Sequence, residues 1–229
     1  MVINKIDFPI YKTMIALAVI LGALYIFISL KNKKQLDKSI IIFFVLYFIL
    51  AIFTGKLYTY IAEFDKFDSF MGASLSAYGG LIGTIIGALI YELIFPKKGL
   101  VIKYTILALP LVYAFTKVGC FFNGCCYGIP YDGIFNITYP HVMNVSLFPI
   151  QFVEIIAFLI LFLICNYYHE KDNIAYITLY VIAILKFLVE FLRYQETSMF
   201  MNPNQIFSII LLFSTIFIHL YNNKKANQV

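Results

Sequence analysis

Seven long apolar segments dominate this sequence of 229 residues and restrict the folds that it can adopt. A helix needs about 20 mostly apolar residues to cross the hydrocarbon core of a bilayer. The segments cover residues 11–30, 39–60, 75–95, 100–121, 149–168, 174–192 and 205–221. Because 62% of the residues are hydrophobic and only 13% are charged, a water-soluble fold would have no core large enough for them. We therefore predict an all-α, polytopic membrane protein of about seven transmembrane helices, with residues 1–229 forming one integral-membrane domain.

The first apolar segment follows Lys5 and Lys12, as the apolar region of a signal peptide follows its basic residues. Its end, Ile28-Ser29-Leu30-Lys31, lacks the small-x-small pattern at which signal peptides are cleaved. We therefore expect this segment to be retained as the first membrane span.

Lysine and arginine are unevenly distributed between the two sides that alternate loops would occupy. One side carries ten of these residues and the other carries seven. Three of the seven, Lys117, Lys186 and Arg193, lie in or at the ends of apolar segments rather than in loops. Because cytoplasmic loops are enriched in lysine and arginine, we predict an extracytoplasmic N-terminus and a cytoplasmic C-terminus. The sequence shows no basic stripe of the kind that binds nucleic acid.

The fourth apolar segment ends in an unusual series of polar and small side chains. The series reads Thr116-Lys117-Val118-Gly119-Cys120-Phe121-Phe122-Asn123-Gly124-Cys125-Cys126-Tyr127-Gly128. A basic residue at membrane depth marks a candidate functional site, and the glycines would let a backbone approach a polar lipid headgroup. The predicted topology places this stretch on the extracytoplasmic side, with the starts of the third and fifth segments and the end of the sixth.

The sixth segment ends with three charged residues. Lys186, Glu190 and Arg193 are spaced i, i+4 and i+7, so we expect them to share one helix face. Buried charges are usually paired, but this set contains two cations and only one carboxylate. Arg193 is the only arginine in the chain, and its planar fork suits a phosphate better than an ammonium does. We interpret the face as a functional cationic site.

The fifth segment begins with Pro149-Ile150-Gln151-Phe152-Val153-Glu154. Pro149 stands where a helix can begin without losing a hydrogen bond, and Gln151 and Glu154 share a face at i and i+3. A glutamate at this depth is costly, so we expect Glu154 to pair with one of the three cations or to face water. We interpret it as a structural partner in the site rather than as a catalytic acid.

Glycines recur every four residues in the third segment, at Gly79, Gly83 and Gly87. Such a face allows another helix backbone to approach closely, and we predict helix packing for Gly83 and Gly87. Gly79 and Gly80 follow Tyr78 at the extracytoplasmic end of the segment. For these two glycines, helix packing and the approach of a lipid substrate are both open interpretations.

Three of the four cysteines, Cys120, Cys125 and Cys126, lie within seven residues. Their spacing is not a standard zinc spacing, and no histidine lies within the segment. A disulfide between neighbours would be strained, so we interpret the thiols as small buried hydrophobic side chains and expect no metal. Thiol redox chemistry is the alternative. His141, in the following loop, is interpreted as a solvated side chain rather than as a base.

Four patterns between residues 77 and 203 resemble the prolipoprotein diacylglyceryl transferase family. The family's His-Gly-Gly segment is similar to Tyr78-Gly79-Gly80, and its Arg-x-Gly-Asn-Phe-x-Asn signature is similar to Lys117-Val118-Gly119-Cys120-Phe121-Phe122-Asn123. Its Pro-x-Gln-Leu-Tyr-Glu pattern is similar to the start of the fifth segment. Its Arg-x-x-x-Glu-x-x-Arg pattern is similar to the charged end of the sixth. The four patterns also occur in the family's order.

This resemblance implies a multi-pass enzyme of the bacterial plasma membrane, with its active site towards the extracytoplasmic side. Family members move the diacylglyceryl group of phosphatidylglycerol to the lipobox cysteine thiol of a prolipoprotein signal peptide and release glycerol phosphate, without a metal or cofactor. The resemblance implies that Lys117, Lys186 and Arg193 hold the phosphate and that Tyr78 donates a hydrogen bond. The implied substrate-binding residues are Gly79, Gly80, Asn123, Gln151, Glu154 and Glu190.

This sequence departs from the family's pattern at several positions. Tyr78 replaces the histidine, and Lys117 and Lys186 replace two arginines. Cys120 and Cys125 stand where the family has an asparagine and an acid. A paralogous transferase with another acceptor and a non-enzymatic lipid-binding protein are therefore alternatives. We expect a monomer among membrane lipids, because the sequence shows no extramembrane interface.

Overall fold

The computed structural model describes residues 1–4, 9–62, 69–96, 99–195 and 201–226. Within these residues, seven helices are long and apolar enough to cross a membrane, which confirms the predicted helical, multi-pass fold. They are α1 (Ile10–Asn32), α2 (Ile40–Ala62), α3 (Ala77–Ile94), α4 (Leu100–Asn123), α5 (Ile150–Tyr167), α6 (Ile174–Val189) and α7 (Pro203–Ala226). The helix ends lie within a few residues of the predicted spans.

Local sequence explains where two of the helices begin. α5 begins directly after Pro149, as predicted. α7 begins at Pro203 and carries a reciprocal cap, in which the Gln205 N–H donates to Asn202 Oδ1 at 2.8 Å and the Asn202 N–H donates to Gln205 Oε1 at 3.1 Å. Both helices therefore start at residues that satisfy or remove the unpaired N–H groups of a first turn.

The end of α6 differs from the prediction. The helix is followed by a single 3-10 turn over Glu190–Leu192, and Arg193 then has an extended backbone. The expectation that Lys186, Glu190 and Arg193 share one continuous helix face is therefore wrong for Arg193. Its side chain nevertheless returns to Glu190, because a tight turn brings a residue and its third neighbour close together.

The loop between α4 and α5 contains a β-hairpin, which the all-α prediction does not include. Its strands are β1 (Ile137–Tyr139) and β2 (Met143–Leu147). They pair antiparallel, with Ile137 opposite Leu147 and an irregularity before the turn. The side chains of Ile137 and Leu147 are buried, so the hairpin has an apolar face of its own.

The chain divides into two compact units. The first unit contains Met1–Ile15 and Ala114–Val229, and the second contains Ala16–Tyr113. The first unit therefore holds the end of α4, the hairpin and α5 to α7, whereas α2 and α3 lie in the second. The expectation of one integral-membrane domain over residues 1–229 stays a prediction.

In the first unit, the N-terminal residues lie beside the hairpin. The Thr138 N–H donates to Met1 O at 2.9 Å, and the Ile3 N–H donates to Thr138 O at 3.0 Å. Ile3 is buried in one cluster with Ile137 and Leu147. The start of the chain and the loop between α4 and α5 are thus neighbours, and the predicted topology also places these two segments on the same side of the membrane.

In the second unit, the glycine face of α3 packs against the backbone of α2. A Cβ atom on Gly83 would collide with Leu50 O and Thr54 Oγ1. A Cβ atom on Gly87 would lie 3.4 Å from the carbonyl carbon of Leu46. Helix packing at Gly83 and Gly87 is therefore confirmed.

The two glycines at the start of α3 differ in their surroundings. A Cβ atom on Gly79 would lie 2.7 Å from Tyr58 Cβ and 2.8 Å from Gly55 Cα, which leaves no room for a side chain. A Cβ atom on Gly80 would lie 3.7 Å from Ala51 O, an ordinary contact distance. The packing of α2 and α3 thus requires glycine at position 79, whereas position 80 has room for a methyl group.

Replacing Gly83 by alanine is expected to lower the free energy of unfolding by about 1–3 kcal/mol, because the added methyl group has no space between α2 and α3. Gly80→Ala is the matched control on the same helix and should change the stability by less than about 0.5 kcal/mol. Unfolding in detergent micelles measures both values. Equal stability of the two variants would contradict this packing.

Candidate active site

Five charged side chains of the first unit form one cluster, with the carboxylate of Glu154 at its centre. Lys117 Nζ lies 3.0 Å from Glu154 Oε2, and Lys186 Nζ lies 2.9 Å from Glu154 Oε1. Arg193 Nη2 donates to both oxygens at 3.0 Å. Glu190 Oε1 accepts from Arg193 Nη1 at 2.8 Å and lies 3.4 Å from Lys186 Nζ. The expected pairing of Glu154 is therefore found, with all three cations at once.

Several elements of the chain position these side chains. Lys117 lies near the end of α4, and Glu154 lies in the second turn of α5. Lys186 lies in the last turn of α6, with Glu190 in the 3-10 turn that follows and Arg193 just beyond it. A helix places residues four apart on one face, which brings Lys186 and Glu190 together. The cluster thus joins the end of α4, the start of α5 and the end of α6.

The cluster lies almost completely out of contact with solvent. Both lysines and both carboxylates are buried, and the Arg193 side chain exposes only 11% of its surface. Taking ions out of water costs several kcal/mol each, which is offset only when the ions are paired and hydrogen-bonded. Three cations here face two carboxylates, so the five side chains carry one positive charge in excess.

Asn202 is a member of this cluster that the sequence analysis missed. Its Nδ2 donates to Glu190 Oε2 at 3.1 Å, while its backbone N–H and Oδ1 cap α7. The pattern Asn-Pro-x-Gln at residues 202–205 is a signal for a helix start. The contact with Glu190 could not be found from that signal, because it depends on how α6 and α7 pack.

Gln151 connects α5 to the stretch 116–128. It is fully buried, and its Nε2 donates to Cys125 O at 2.9 Å and lies 3.4 Å from Tyr139 Oη. Among the described residues, Gln151 Oε1 has no hydrogen-bond donor. A buried acceptor left without a donor costs about 1–3 kcal/mol, which a hydroxyl or amide group of a ligand would recover.

Tyr139, on β1, is a second residue that the sequence analysis missed. Its hydroxyl donates to Phe121 O at 2.9 Å and so holds the hairpin against the end of α4. Burial raises the pKa of Tyr139 above its ordinary value. The phenol therefore stays protonated at neutral pH and remains a hydrogen-bond donor.

The backbone after the cysteines is bridged to the backbone around Arg193. Gly128 and Arg193 form an antiparallel bridge, and the Ile129 N–H donates to Leu192 O at 3.0 Å. A Cβ atom on Gly128 would lie 2.5 Å from Phe148 O and 3.0 Å from Leu192 O, so a larger residue does not fit there. This bridge fixes the position of Arg193 relative to the loop.

The sulfur atoms of Cys120, Cys125 and Cys126 all lie within 4.8 Å of one another. A turn brings them together, with left-handed backbone at Gly124 (φ +69°) and Cys126 (φ +57°). Cys120 is buried, Cys125 is half-buried and Cys126 is exposed. The interpretation of the thiols as small buried hydrophobic side chains is therefore correct for Cys120 and wrong for Cys126.

Cys126 lies in a polar and positively charged environment. Hydrogen bonds from the thiols of Cys120 and Cys125, together with the charges of Lys117 and Arg193, hold the pKa of Cys126 well below its usual range. The thiolate is the form that binds metals and attacks carbon, and this environment favours that form of Cys126.

The remaining predicted residues have varied surroundings. Asn123 is exposed at the end of α4 and hydrogen-bonds to the Cys125 thiol. His141 is exposed, as expected, and its ring packs against Tyr139 with centroids 6.1 Å apart. Tyr78 belongs to the second unit with Gly79 and Gly80. The buried Tyr78 ring stacks on Tyr58, with centroids 5.9 Å apart.

The fold and the cluster define a multi-pass membrane protein with a buried, cation-rich polar site. A sequence model of the prolipoprotein diacylglyceryl transferase family matches residues 1–221. The chain therefore belongs to the prolipoprotein diacylglyceryl transferase family, and the resemblance found between residues 77 and 203 extends over almost its whole length.

Individual relatives agree with this family. The chain is 28% identical to a phosphatidylglycerol–prolipoprotein diacylglyceryl transferase of Clostridioides difficile, over 96% of the chain and 93% of that protein. It is 25% identical to the protein of that name in Dehalococcoides mccartyi, over 95% of the chain and 90% of that protein. It is 28% identical to the phosphatidylglycerol–prolipoprotein diacylglyceryl transferase of Clostridium tetani, over 80% of the chain and 80% of that protein.

Replacing Glu154 by glutamine is expected to lower the free energy of unfolding by about 3–5 kcal/mol, because three buried cations would lose the carboxylate that they share. The double variant Glu154→Gln/Lys117→Met also removes one cation and should recover part of the loss. Unfolding in detergent micelles measures both.

The matched control for this experiment is Glu170→Gln. Glu170 is an exposed carboxylate that lies 2.9 Å from His169 Nε2, and its loss should cost less than about 0.5 kcal/mol. If Glu154→Gln were as stable as Glu170→Gln, the cations would not depend on Glu154.

Proposed function

We propose that this chain transfers the diacylglyceryl group of phosphatidylglycerol to the lipobox cysteine thiol of a prolipoprotein and releases glycerol phosphate. Membership of the family and the names of the relatives support this activity. The observation that carries it is the convergence of Lys117, Lys186 and Arg193 on one buried carboxylate. Three cations gathered at one point can stabilise the negative charge of a phosphodiester.

In the proposed reaction, the thiolate sulfur of the acceptor attacks the glyceryl carbon that bears the phosphate ester. A C–S bond forms as the C–O bond to phosphate breaks, and the bonding electrons leave with glycerol phosphate. The phosphate thereby gains a second negative charge. Cations already in place stabilise charge that develops on a leaving group, and they do so more strongly where water is excluded.

The proposed cations have different roles. Arg193 can donate two parallel hydrogen bonds to two phosphate oxygens, whereas Lys117 and Lys186 act as point charges. Glu154 and Glu190 are positioning residues, because they hold the cations in place before the lipid arrives. The field at the phosphate then requires no rearrangement of the protein during the reaction.

The headgroup of phosphatidylglycerol carries two free hydroxyls, and Gln151 Oε1 is a suitable acceptor for one of them. It is buried and has no donor among the described residues. We further propose that Asn123 helps to orient the phosphate, that Gly80 allows the lipid to approach closely, and that Tyr78 donates a hydrogen bond to it. Gly79 serves the packing of α2 and α3 instead, because α2 fills the space that its side chain would need.

Replacing Arg193 by alanine is expected to lower kcat/KM for transfer by at least about 100-fold, because the leaving group loses its bidentate donor. Arg193→Lys should recover part of the rate, since it keeps the charge without the planar fork. The assay follows a label in the diacylglyceryl part of phosphatidylglycerol as it moves to a lipobox peptide in detergent micelles.

Two controls accompany this assay. Lys171→Ala removes an exposed loop cation and should leave the rate unchanged, and a lipobox peptide with serine in place of cysteine should receive no label. A folded Arg193→Ala variant with the wild-type rate would refute the role of Arg193. Label on a lipid or sugar would favour a paralogous transferase, and lipid binding without product would favour a non-enzymatic lipid-binding protein.

We also propose that the chain lies in the bacterial plasma membrane with the site towards the extracytoplasmic side. The excess of lysine and arginine in the loops assigned to the cytoplasm supports this orientation. The alternation of the spans then places the N-terminus and the loop between α4 and α5 outside.

A membrane-impermeant maleimide tests this orientation in intact spheroplasts. Ile134→Cys, in the loop between α4 and α5, should be labelled more than the unmodified chain, because position 134 is 93% exposed. Lys38→Cys, in the exposed loop between α1 and α2, should gain label only after the membrane is permeabilised. The opposite pattern would invert the topology.

A further inference from the structure

We propose that Cys120, Cys125 and Cys126 form a binding site for Zn²⁺ and that the fourth coordination position takes the acceptor thiol of the transfer reaction. The identity of the fourth ligand rests on the proposed function, whereas the metal site itself does not. The sequence analysis expected no metal here, because the spacing of the cysteines is unlike that of common zinc sites. In the folded structure, however, a turn brings the three sulfur atoms together despite this spacing.

The three sulfur atoms lie close enough together to share one metal ion. All of them lie within 4.8 Å of one another. Tetrahedral Zn²⁺ with Zn–S bonds of about 2.3 Å places neighbouring sulfurs about 3.8 Å apart, so small side-chain rotations would complete three of the four positions. Soft thiolate ligands select zinc or copper(I) over magnesium and calcium. Structural zinc sites are closed by four protein ligands, whereas three ligands and one open position are typical of catalytic zinc.

The three cysteines differ in their exposure to solvent. Cys120 is buried at the end of α4, Cys125 is half-buried and Cys126 is exposed. An ion held by all three would have protein on one side and an accessible face on the side of Cys126. An incoming peptide could reach that face.

Two cations lie near the three thiols. Lys117 is one helical turn before Cys120 on α4, and Arg193 is bridged to Gly128, two residues after Cys126. They would repel a bare cation, but Zn²⁺ with three thiolates carries one negative charge in total, which they stabilise. Because Gly128 is bridged to Arg193, the site lies in the segment that is fixed beside the proposed phosphate-binding cation. A thiol bound to the metal would therefore be held close to the lipid phosphate.

The chemistry of S-alkylation explains what the metal would contribute. A free cysteine thiol has a pKa of about 8.5 and is mostly protonated at neutral pH, but a coordinating thiol is deprotonated outright. The acceptor thiol would release its proton to solvent on binding. Its sulfur would then form the C–S bond while the C–O bond breaks and the electron pair leaves with glycerol phosphate. The product is a neutral thioether and a weaker ligand, so it would leave the zinc, whose oxidation state does not change.

The metal site is tested by titrating the purified, reduced, full-length chain with Co²⁺ as a spectroscopic probe and with Zn²⁺. We expect one equivalent of metal per chain and a sulfur-to-cobalt charge-transfer absorption that is lost in the variant C120S/C125S/C126S. The matched control is C165S, because Cys165 is buried on α5 and accepts a hydrogen bond from Thr178. C165S should bind metal as the wild type does.

Two results would overturn the metal site. One is failure of the reduced wild-type chain to bind either metal, and the other is equal binding by the triple variant. If the triple variant does not fold, X-ray absorption spectroscopy of the zinc-loaded wild type tests the site instead. We then expect three sulfur neighbours at about 2.3 Å from the zinc. Oxygen or nitrogen neighbours alone would refute the site.

The fourth position is tested by adding lipobox peptides to the cobalt-loaded chain without lipid. A cysteine peptide should increase the charge-transfer absorption by one further thiolate, and a serine peptide should not. An unchanged spectrum with bound cysteine peptide would refute this role of the metal. Normal label transfer by the triple variant would also refute it and leave the proposed function intact. Ligation of the peptide thiol without transfer from phosphatidylglycerol would support this inference and contradict the proposed function.

Discussion

The carboxylate of Glu154 holds together three cations that would otherwise repel one another. Lys117 comes from the end of α4, whereas Lys186 and Arg193 come from the end of α6 and the turn that follows it. All three lie about 3 Å from this one side chain. Repulsion between like charges is strong where little water is present. The shared carboxylate therefore determines whether the end of α4 and the end of α6 can approach the start of α5 at all.

This arrangement has a chemical advantage and a cost. The cations are ordered before any lipid binds, so their field is already directed at the place where charge would develop. However, each cation already has a carboxylate partner, which the phosphate of the proposed substrate would have to share. Strong prior pairing would therefore limit how tightly the lipid binds in its ground state. The same field still stabilises a phosphate with two negative charges more than a phosphate with one. This difference in stabilisation between the transition state and the bound lipid is what accelerates a reaction.

The sequence allows the membrane spans to be predicted because length and apolar character alone decide which helices can cross a bilayer. The pairing of Glu154 was predictable for a similar reason, since a lone acid at membrane depth needs a cation. The hairpin was missed because its strands are only three and five residues long, too short to give a clear alternating pattern inside a loop. The exit of Arg193 from α6 was missed because nothing in the local sequence marks that end of the helix.

The convergence of the cysteines could not be predicted from their spacing. It depends on left-handed backbone at Gly124 and at Cys126, and a non-glycine residue adopts that conformation only when its surroundings impose it. Gln151 supplies part of those surroundings by donating to the Cys125 carbonyl. The contact of Asn202 with Glu190 is likewise a product of tertiary packing. Residues whose role depends on nearby sequence were thus predictable, and residues whose role depends on distant partners were not.

The backbone bridge between Gly128 and Arg193 divides the long loop into two parts that can evolve at different rates. Residues next to the bridge are enclosed, and any change there would move Arg193. Farther along, Ile134 and Phe135 are exposed and lie outside both strands. Insertions or substitutions at those positions would leave the bridge, and with it Arg193, in place. Under the proposed function, the exposed part of the loop can therefore change while the phosphate chemistry is kept.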